Sequence, residues 1–355
     1  MSIFEEGGPL GGRRVGPNRY EFRVKIPLDA DGMVGRECPD QTCSPGYFKV
    51  KPGTGITQGQ SIAYCPYCRH GDSPSEFLTK AQQKYVLQLV GNEAIKGINR
   101  TIREALDLGP AGKKKIDGGL LSLEISYREA RLSPVSRPVE EELRRDLTCP
   151  HCGLEHAVFG LATWCPDCGT DIFISHVSEE LAVVRKTLAT VDARRLELGA
   201  RVAARDIENA LEDVVSIFEA VLKAITRRHL LRSGMAPEEV DRVVERNIRN
   251  SYQNIAAAAE TFRNHVGLEL FEGISERDLN DLGLAFEKRH PITHNLGVID
   301  RKYLERVRSG EMEGREIRLS AAEVLRAVDI SFEIIRRAYE RVFISGNSLL
   351  TNSTG

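Results

Sequence analysis

The sequence predicts a multidomain α+β protein: two small β-rich modules with a connecting helix, then an all-α bundle. Three observations carry that reading. All eight cysteines fall in close pairs, the last ending at Cys168. Most of the prolines and glycines lie before residue 175, whereas the chain beyond it shows long stretches of helical periodicity with few breakers. Finally, 355 residues at 41% hydrophobic suffice for two or three cores, at roughly 100–200 residues per domain.

The elements follow in chain order. Residues 1–19 are rich in Gly and Pro and read as irregular. Tyr20–Ile26 alternates apolar and polar residues, the period of a strand, and Tyr47–Val50 is a second short strand. From Ser75 to Leu108 the spacing turns helical, with Phe77, Leu78, Ala81, Tyr85, Val86, Leu89 and Val90 on the apolar side. Gly109-Pro110-Ala111-Gly112 stops this helix, Lys113–Lys115 form a basic loop, and Leu120–Ile125 returns to a strand. Ser133–Pro138, with a proline at each end region, reads as an extended linker.

Past residue 175 a helix over Ser178–Leu198 reads as a connector. Between Asp206 and Leu231, Ile207, Ala210, Leu211, Val214, Val215, Phe218, Val221, Leu222 and Ile225 recur every three or four positions. Ser233-Gly234 ends that helix, and Pro237 suits the first turn of the next, expected to run to His265 before Gly267. Ser275-x-x-Asp278 and Ser320-x-x-Glu323 have the form of capping boxes. The first opens a helix with Leu279, Leu282, Ala285 and Phe286 on one face. The second opens the last helix, with Val324, Leu325, Val328, Phe332, Ile335, Ala338 and Val342 inward. Four or five helices of this kind pack as a bundle.

Lys and Arg number 49 against 51 Asp and Glu, a net charge of −2, which excludes a globally basic nucleic-acid binder and leaves room for a local basic patch. No apolar run approaches the roughly 18–20 residues of a membrane span. Met1–Glu6 has neither the basic start nor the apolar stretch of a secretory leader. A cytoplasmic location without membrane contact is the expectation, and it turns the cysteines toward metal binding rather than disulfides.

Cys149-Pro-His-Cys152 and Cys165-Pro-Asp-Cys168 are separated by 12 residues. Each tight turn supplies two thiolates, and two turns complete the tetrahedron of Zn²⁺. Gly153 and Gly169 let the chain turn back after each. The other quartet is looser: Cys38 and Cys43 precede Cys65-Pro-Tyr-Cys68 by 21 residues, as in a zinc ribbon with an extended finger. The expected cofactors are two structural Zn²⁺ per chain, with four protein ligands each and no open position for catalysis; no catalytic metal is expected. His70, His151 and His156 are substitute ligands in principle and read more simply as surface or loop residues. As bare tetrapeptides, Cys65–Cys68 and Cys149–Cys152 also match thiol–disulfide oxidoreductase sites. Neither, however, follows a strand into a helix N-terminus of a βαβ unit. The ribbons serve either as scaffold and protein contact or as a nucleic-acid contact through Lys49, Lys51, Arg69, Lys113–Lys115, Arg144 and Arg145.

The segment from Phe286 to Leu304 holds Arg289, His290 beside it, His294 and Asn295. Five residues of ideal helix turn about 140° and rise about 7.5 Å, so Arg289 and His294 do not share a face. Pro291 is expected to bend or restart the helix. Two copies meeting across a twofold axis would bring the pair together. The chemistry suits RNA cleavage: a His titrates near neutrality and moves protons, and an Arg offers a planar fork to phosphate oxygens. His176, His229 and His265 read as helix-surface or satisfied polar residues, and the Arg227-Arg228-His229-Arg232 cluster as a solvated face or, second, an RNA backbone track.

This Arg-x₄-His arrangement, with the Leu282/Phe286 approach and the following Asn295, Gly297, Asp300 and Tyr303, resembles the HEPN superfamily, as does the Leu211–Leu222 helix. The resemblance spans residues 205–345. It implies a helical bundle that forms a homodimer with its Arg-His motifs facing each other. It also implies metal-independent endoribonuclease activity on RNA, leaving 2′,3′-cyclic phosphate and 5′-hydroxyl ends. Arg289 would stabilise the phosphate, His294 would transfer protons, and His290 and Asn295 would support them. Many such proteins are toxins or phage-defence effectors, which adds a protein inhibitor or defence-system partner to the expectation. Inactive members also exist, so the other reading is a non-catalytic adaptor that binds nucleic acid or protein through its ribbons and dimerises through the helical domain. The boundaries that follow are 1–74 for the first ribbon, 75–132 for a helix-strand connector and 133–177 for the second ribbon. A linker helix over 178–204, the HEPN-like domain at 205–345 and a tail at 346–355 complete the chain.

Overall fold

The computed structural model describes residues 4, 7–17, 19–109, 112–117, 122–142, 145–307 and 310–345. Pro110 and Ala111 of the expected helix stop, Leu120 and Leu121 of the expected strand, Arg144 and the 346–355 tail lie outside the described residues. The fold is mixed α+β and divides into two compact units, 1–171 and 172–355.

The first unit opens with a hairpin of β1 (Arg13–Gly16) and β2 (Arg19–Glu21). The strand expected over Tyr20–Ile26 therefore ends at Glu21. Then come β3 (Val34–Glu37), β4 (Tyr47–Val50), β5 (Ala63–Tyr64) and β6 (Gly71–Asp72). A 3₁₀ turn over Pro74–Phe77 leads into α1 (Lys80–Ala105), whose start is closed by a reciprocal Thr79–Gln82 capping box. Lys113–Lys115, expected in a loop, lie in β7 (Lys113–Asp117), which pairs with β8 (Ser122–Ser126). The unit ends with β9 (Arg145–Thr148) and β10 (Glu155–Val158).

Its centre is one antiparallel sheet in the order β3-β4-β10-β9. Each cysteine quartet contributes one hairpin, and the two hairpins join where β4 pairs with β10, Phe48 opposite Val158 and Val50 opposite His156. Period-two alternation puts Val34, Phe48, Leu147 and Val158 on one face, all buried. Phe77 packs edge-on to Phe48 at 6.0 Å between centroids.

α1 departs from its expected apolar face. Its buried residues are Gln82, Asn92, Gly97 and Asn99, while Ala81 is exposed and Tyr85, Val86, Leu89 and Val90 are half-buried. The reason is what packs there. The expected linker runs extended along α1, and its backbone groups need partners. Asn92 donates to Ser133 O and accepts from Ser133 N, both at 2.8 Å. Asn99, two helical turns on, does the same for Ala130 at 3.1 and 3.2 Å. Gln82 donates to Gly35 O and Glu140 Oε1, both at 2.8 Å. Polar residues are buried because each is hydrogen-bonded.

The second unit is helical: α2 (Phe173–Ala189), α3 (Val191–Leu198), α4 (Ala200–Arg232), α5 (Pro237–Arg242), α6 (Ile255–Val266), α7 (Glu276–His294), α8 (Arg301–Arg306) and α9 (Ala321–Tyr339). α4 is the central helix and packs on α2, α7 and α9. It buries the residues its periodicity marks, Leu211, Val214, Val215, Phe218, Leu222 and Ile225 among them. Phe218 meets Phe286 of α7 edge-on at 5.4 Å. The expected connector helix is instead two helices, and α2 buries Phe173, Val177, Leu181, Val184 and Leu188 as part of this core. The helix expected from Pro237 to His265 is broken. A π-turn over Val243–Ile248 is followed by Arg249 at φ 45°, and the Asn254 side chain then accepts from Ala257 N to cap α6. Ser275 and Ser320 cap α7 and α9 as expected, with the full box formed at Ser320–Glu323. Leu325, Phe332 and Val342 are half-buried rather than inward. Among the described residues, no helix is long and apolar enough to cross a membrane.

Candidate metal centres and the Arg-His helix end

The cysteines form two separate clusters, Cys38/Cys43/Cys65/Cys68 and Cys149/Cys152/Cys165/Cys168, with the sulfurs of each within 4.8 Å of one another. Cys38–Cys68 and Cys43–Cys65 sulfurs are 3.7 and 3.6 Å apart, and Cys149–Cys168 and Cys152–Cys165 3.8 and 3.6 Å. A tetrahedron with metal–sulfur bonds of about 2.3 Å has edges of about 3.8 Å, so both donor sets fit one metal ion. The turns are shaped for this. Gly153 and Gly169 adopt φ of 77° and 64°, and a Cβ on Gly169 would lie 2.8 Å from the Tyr64 ring. In the first quartet Arg69 takes the corresponding left-handed position at φ 65°, and its guanidinium sits 4.4 Å over the Trp164 ring. The Tyr67, His70 and Asp167 amides donate to the Cys65, Cys68 and Cys165 sulfurs.

Crowded thiols oppose one another's ionisation. Hydrogen bonds from Cys43 and Cys65 hold Cys68 down to about 2, while the Cys43–Cys65 contact pushes Cys65 up. Burial pushes Cys152 up to about 11. A dication at the centre of each cluster would favour all four thiolates at once. His70, His151 and His156 are outside both clusters; His70 faces Asp72 at 3.8 Å, and His156 is fully buried on β10.

The expected phosphate-contacting residues are mostly engaged elsewhere. Lys49 is buried and paired with Asp29 at 2.8 Å, which removes it from any surface. Lys51 pairs with Glu155, Lys113 with Glu124 and Lys114 with Asp107, and Arg145 donates to Phe159 O.

In the second unit α7 runs unbroken through buried Pro291 to His294, without the bend or restart expected there. The proline lies in the last turn, where its carbonyl accepts from both Asn295 N and Gly297 N and closes the helix. Asn295 is the C-cap and donates from Nδ2 to Val298 O at 2.7 Å; Leu296 and Gly297 follow at φ 53° and 81°. His290 and His294, four residues apart, stand with ring centroids 5.1 Å apart. His290 is half-buried and 3.8 Å from Asp300, and His294 is exposed. Burial, then nearby Lys302, holds the His290 imidazole below its ordinary value against the pull of Asp300.

Arg289 points elsewhere on the helix. Its Nη1 donates to Gln253 Oε1 at 2.8 Å, and the Gln253 amide donates to Glu219 Oε2 at 2.5 Å. Glu219 is in turn held by Lys223 at 2.6 Å. The Arg289 Nε–H is buried and makes no hydrogen bond among the described residues. One chain thus gathers His290, His294 and Asn295 at the end of α7 and sets Arg289 on another face. Gln253 was not among the expected site residues, and Glu219 entered only through the likeness of the Leu211–Leu222 helix. Gln253 lies in the 3₁₀ turn that breaks the expected long helix, and Glu219 sits on the polar flank of α4.

No protein-family model, no curated protein and no solved structure matches the chain.

Proposed function

We propose that each cysteine cluster holds one structural Zn²⁺ and that the helical unit is a metal-independent, HEPN-type endoribonuclease acting as a homodimer. The sulfur spacings and the all-thiolate donor sets support zinc. Bound there, zinc supplies cross-linking of the hairpins rather than reactivity, since four ligands leave no open position.

The observation that carries the nuclease reading is Arg289. A guanidinium oriented by Gln253, itself locked by Glu219, stands on the helix that ends in His290 and His294. Such a fork suits the charge that builds on a phosphorane. His294 is exposed and able to exchange protons with solvent and substrate. In this reading the ribose 2′-hydroxyl attacks the adjacent phosphorus and the 5′-oxygen leaves with a proton, giving a 2′,3′-cyclic phosphate and a 5′-hydroxyl. His294 moves protons, Arg289 of the other copy faces the phosphate, and His290 and Asn295 support the helix end.

The test is RNA cleavage by purified wild-type, Arg289→Ala and His294→Ala protein without added magnesium, with the product termini analysed. Cyclic-phosphate ends from wild type, falling by about 10²–10⁴-fold in His294→Ala, are expected. Overexpression of wild type but not His294→Ala is expected to slow host growth. Cleavage that survives both substitutions overturns the nuclease reading, and RNA binding without turnover supports the adaptor instead.

A further inference from the structure

We propose that a slot in the first unit binds a guanine nucleotide, free or as an unstacked residue of an RNA strand. The slot measures about 280 Å³ and is walled by Phe48 and Val50 of β4, by Ile56, and by Phe77 ahead of α1. Three charged residues line it: Lys51, which is paired with Glu155, and two without an ion-pair partner among the described residues, Arg36 of β3 and Asp167 between Cys165 and Cys168.

Neither of the latter two charges is closed by a direct ion pair, although the Glu140 carboxylate lies near enough to Arg36 to attract it. Arg36 stands opposite Phe48 in the β3–β4 register and so shares the sheet's apolar face. Its one hydrogen bond among the described residues runs from Nη1 to Gly35 O at 3.1 Å, and it forms no ion pair there. Asp167 is 7% exposed; one carboxylate oxygen accepts from Ile56 N, and the other has no hydrogen-bond partner among the described residues. The 51–57 loop pins this side chain, since a Cβ on Gly55, at φ 70°, would meet the same carboxylate. Burial of a guanidinium and a carboxylate that keep hydrogen-bonding capacity unused is costly. A ligand that answers both relieves the cost.

A ligand that answers this lining has an apolar body, an anion for the guanidinium and N–H groups for the carboxylate. A phosphate matches the guanidinium fork. Among the bases, guanine carries two adjacent donors, N1–H and N2–H₂, on the edge that would face a carboxylate. Single-stranded RNA is read in this manner, with splayed bases held on apolar or aromatic surfaces and bonded along their edges. The inference rests on residues remote in sequence from Arg289 and His294 and stands whether or not those residues cleave RNA.

The test uses full-length, metal-loaded His294→Ala protein, so that cleavage does not confound binding. Calorimetric titration with 5′-GMP, AMP, CMP and UMP is run beside labelled uridine 12-mers with and without one guanosine. Guanine preference of at least tenfold is expected in one or both series. Competition by 5′-GMP against the guanosine-bearing 12-mer identifies a shared site, and binding of the 12-mer alone assigns the RNA source. Arg36→Met should weaken 5′-GMP at least tenfold and guanosine little. Asp167→Asn, which presents an amide donor, should erase the base preference. Metal content is measured for each variant, and if Asp167→Asn loses metal the Arg36→Met result decides. Equal affinity for all four nucleotides and both 12-mers, absence of binding, or unchanged affinity in Arg36→Met overturns the proposal.

Discussion

Prolonged exposure of the full-length protein to a strong zinc chelator should unfold the first unit and leave the second standing. The sheet of the first unit is made of β3, β4, β9 and β10, each four residues long. Its apolar residues, such as Val34, Phe48, Leu147 and Val158, are few. Each contributes about 1.5–3 kcal/mol when fully buried, while ordering each backbone residue costs about 1–2 kcal/mol. A structural zinc supplies about 10–16 kcal/mol in small modules, as much as the whole net stability of about 5–15 kcal/mol of an ordinary domain. On the proposed zinc reading, removal of two such ions takes away more than this sheet retains. The second unit has its own core, from Leu211 to Ile225 on α4 and from Val324 to Ala338 on α9, and holds none of the cysteines. Limited proteolysis followed by mass spectrometry should show cuts across 34–171 and a resistant fragment beginning near residue 172, with most of the helical circular dichroism kept. Because β4 pairs with β10, Cys68→Ser should reduce bound zinc below one per chain rather than to one. A first unit that stays protease-resistant without metal, or a second unit digested along with it, would refute this account.

Other outcomes follow from single side chains. Phe218→Ala removes a fully buried ring from its contact with Phe286 and should cost about 3–5 kcal/mol, read as a lower urea midpoint for the second unit; an unchanged midpoint would place the core elsewhere. Asn92→Ala leaves both Ser133 backbone groups unpaired, at about 1–3 kcal/mol, and should raise hydrogen exchange around residues 130–136 before any global change. Gln253→Ala frees Arg289 and should lower kcat of the proposed cleavage by up to about 10²-fold with little change in KM, whereas wild-type kinetics would show that Gln253 does not position it. Burial holds His229, His265 and His290 below their ordinary values, so near pH 6.5 the unfolded chain takes up protons that the folded unit does not. Stability of the second unit is thus fully present above that pH and lost as pH falls through it; a Tm that rises on acidification from pH 7.5 to 5.5 would contradict this.

The helical unit was legible because burial on one side of a helix leaves a period in the sequence, and α4 carries that period from Ile207 to Ile225, about five turns. The cysteine clusters were legible for a different reason: ligand spacing encodes a turn, and the turn encodes the donor geometry. α1 misled because its period is real but points at half-exposed surface. Its packed side is set by Asn92 and Asn99, which look like ordinary surface residues until the extended segment they hold is in place. The break at Val243–Ile248 left no Pro or Gly to announce it. Nor could spacing show that Arg36 and Asp167, 131 positions apart by residue number, face one slot; only the joining of two hairpins does that.

That joining also imposes a schedule. His156 of β10 is the strand partner of Val50 in β4, and Val158 that of Phe48. At about 5–20 residues per second a ribosome needs roughly 5–20 seconds to synthesise the intervening chain. Throughout that interval β4 has β3 on one side and an open row of amide and carbonyl groups on the other, the kind of edge that recruits stray strands. By then Cys38, Cys43, Cys65 and Cys68 have all left the ribosome or soon will. On the proposed zinc reading, the first quartet is complete early enough to hold half a sheet in shape while the half that shields it is still being made.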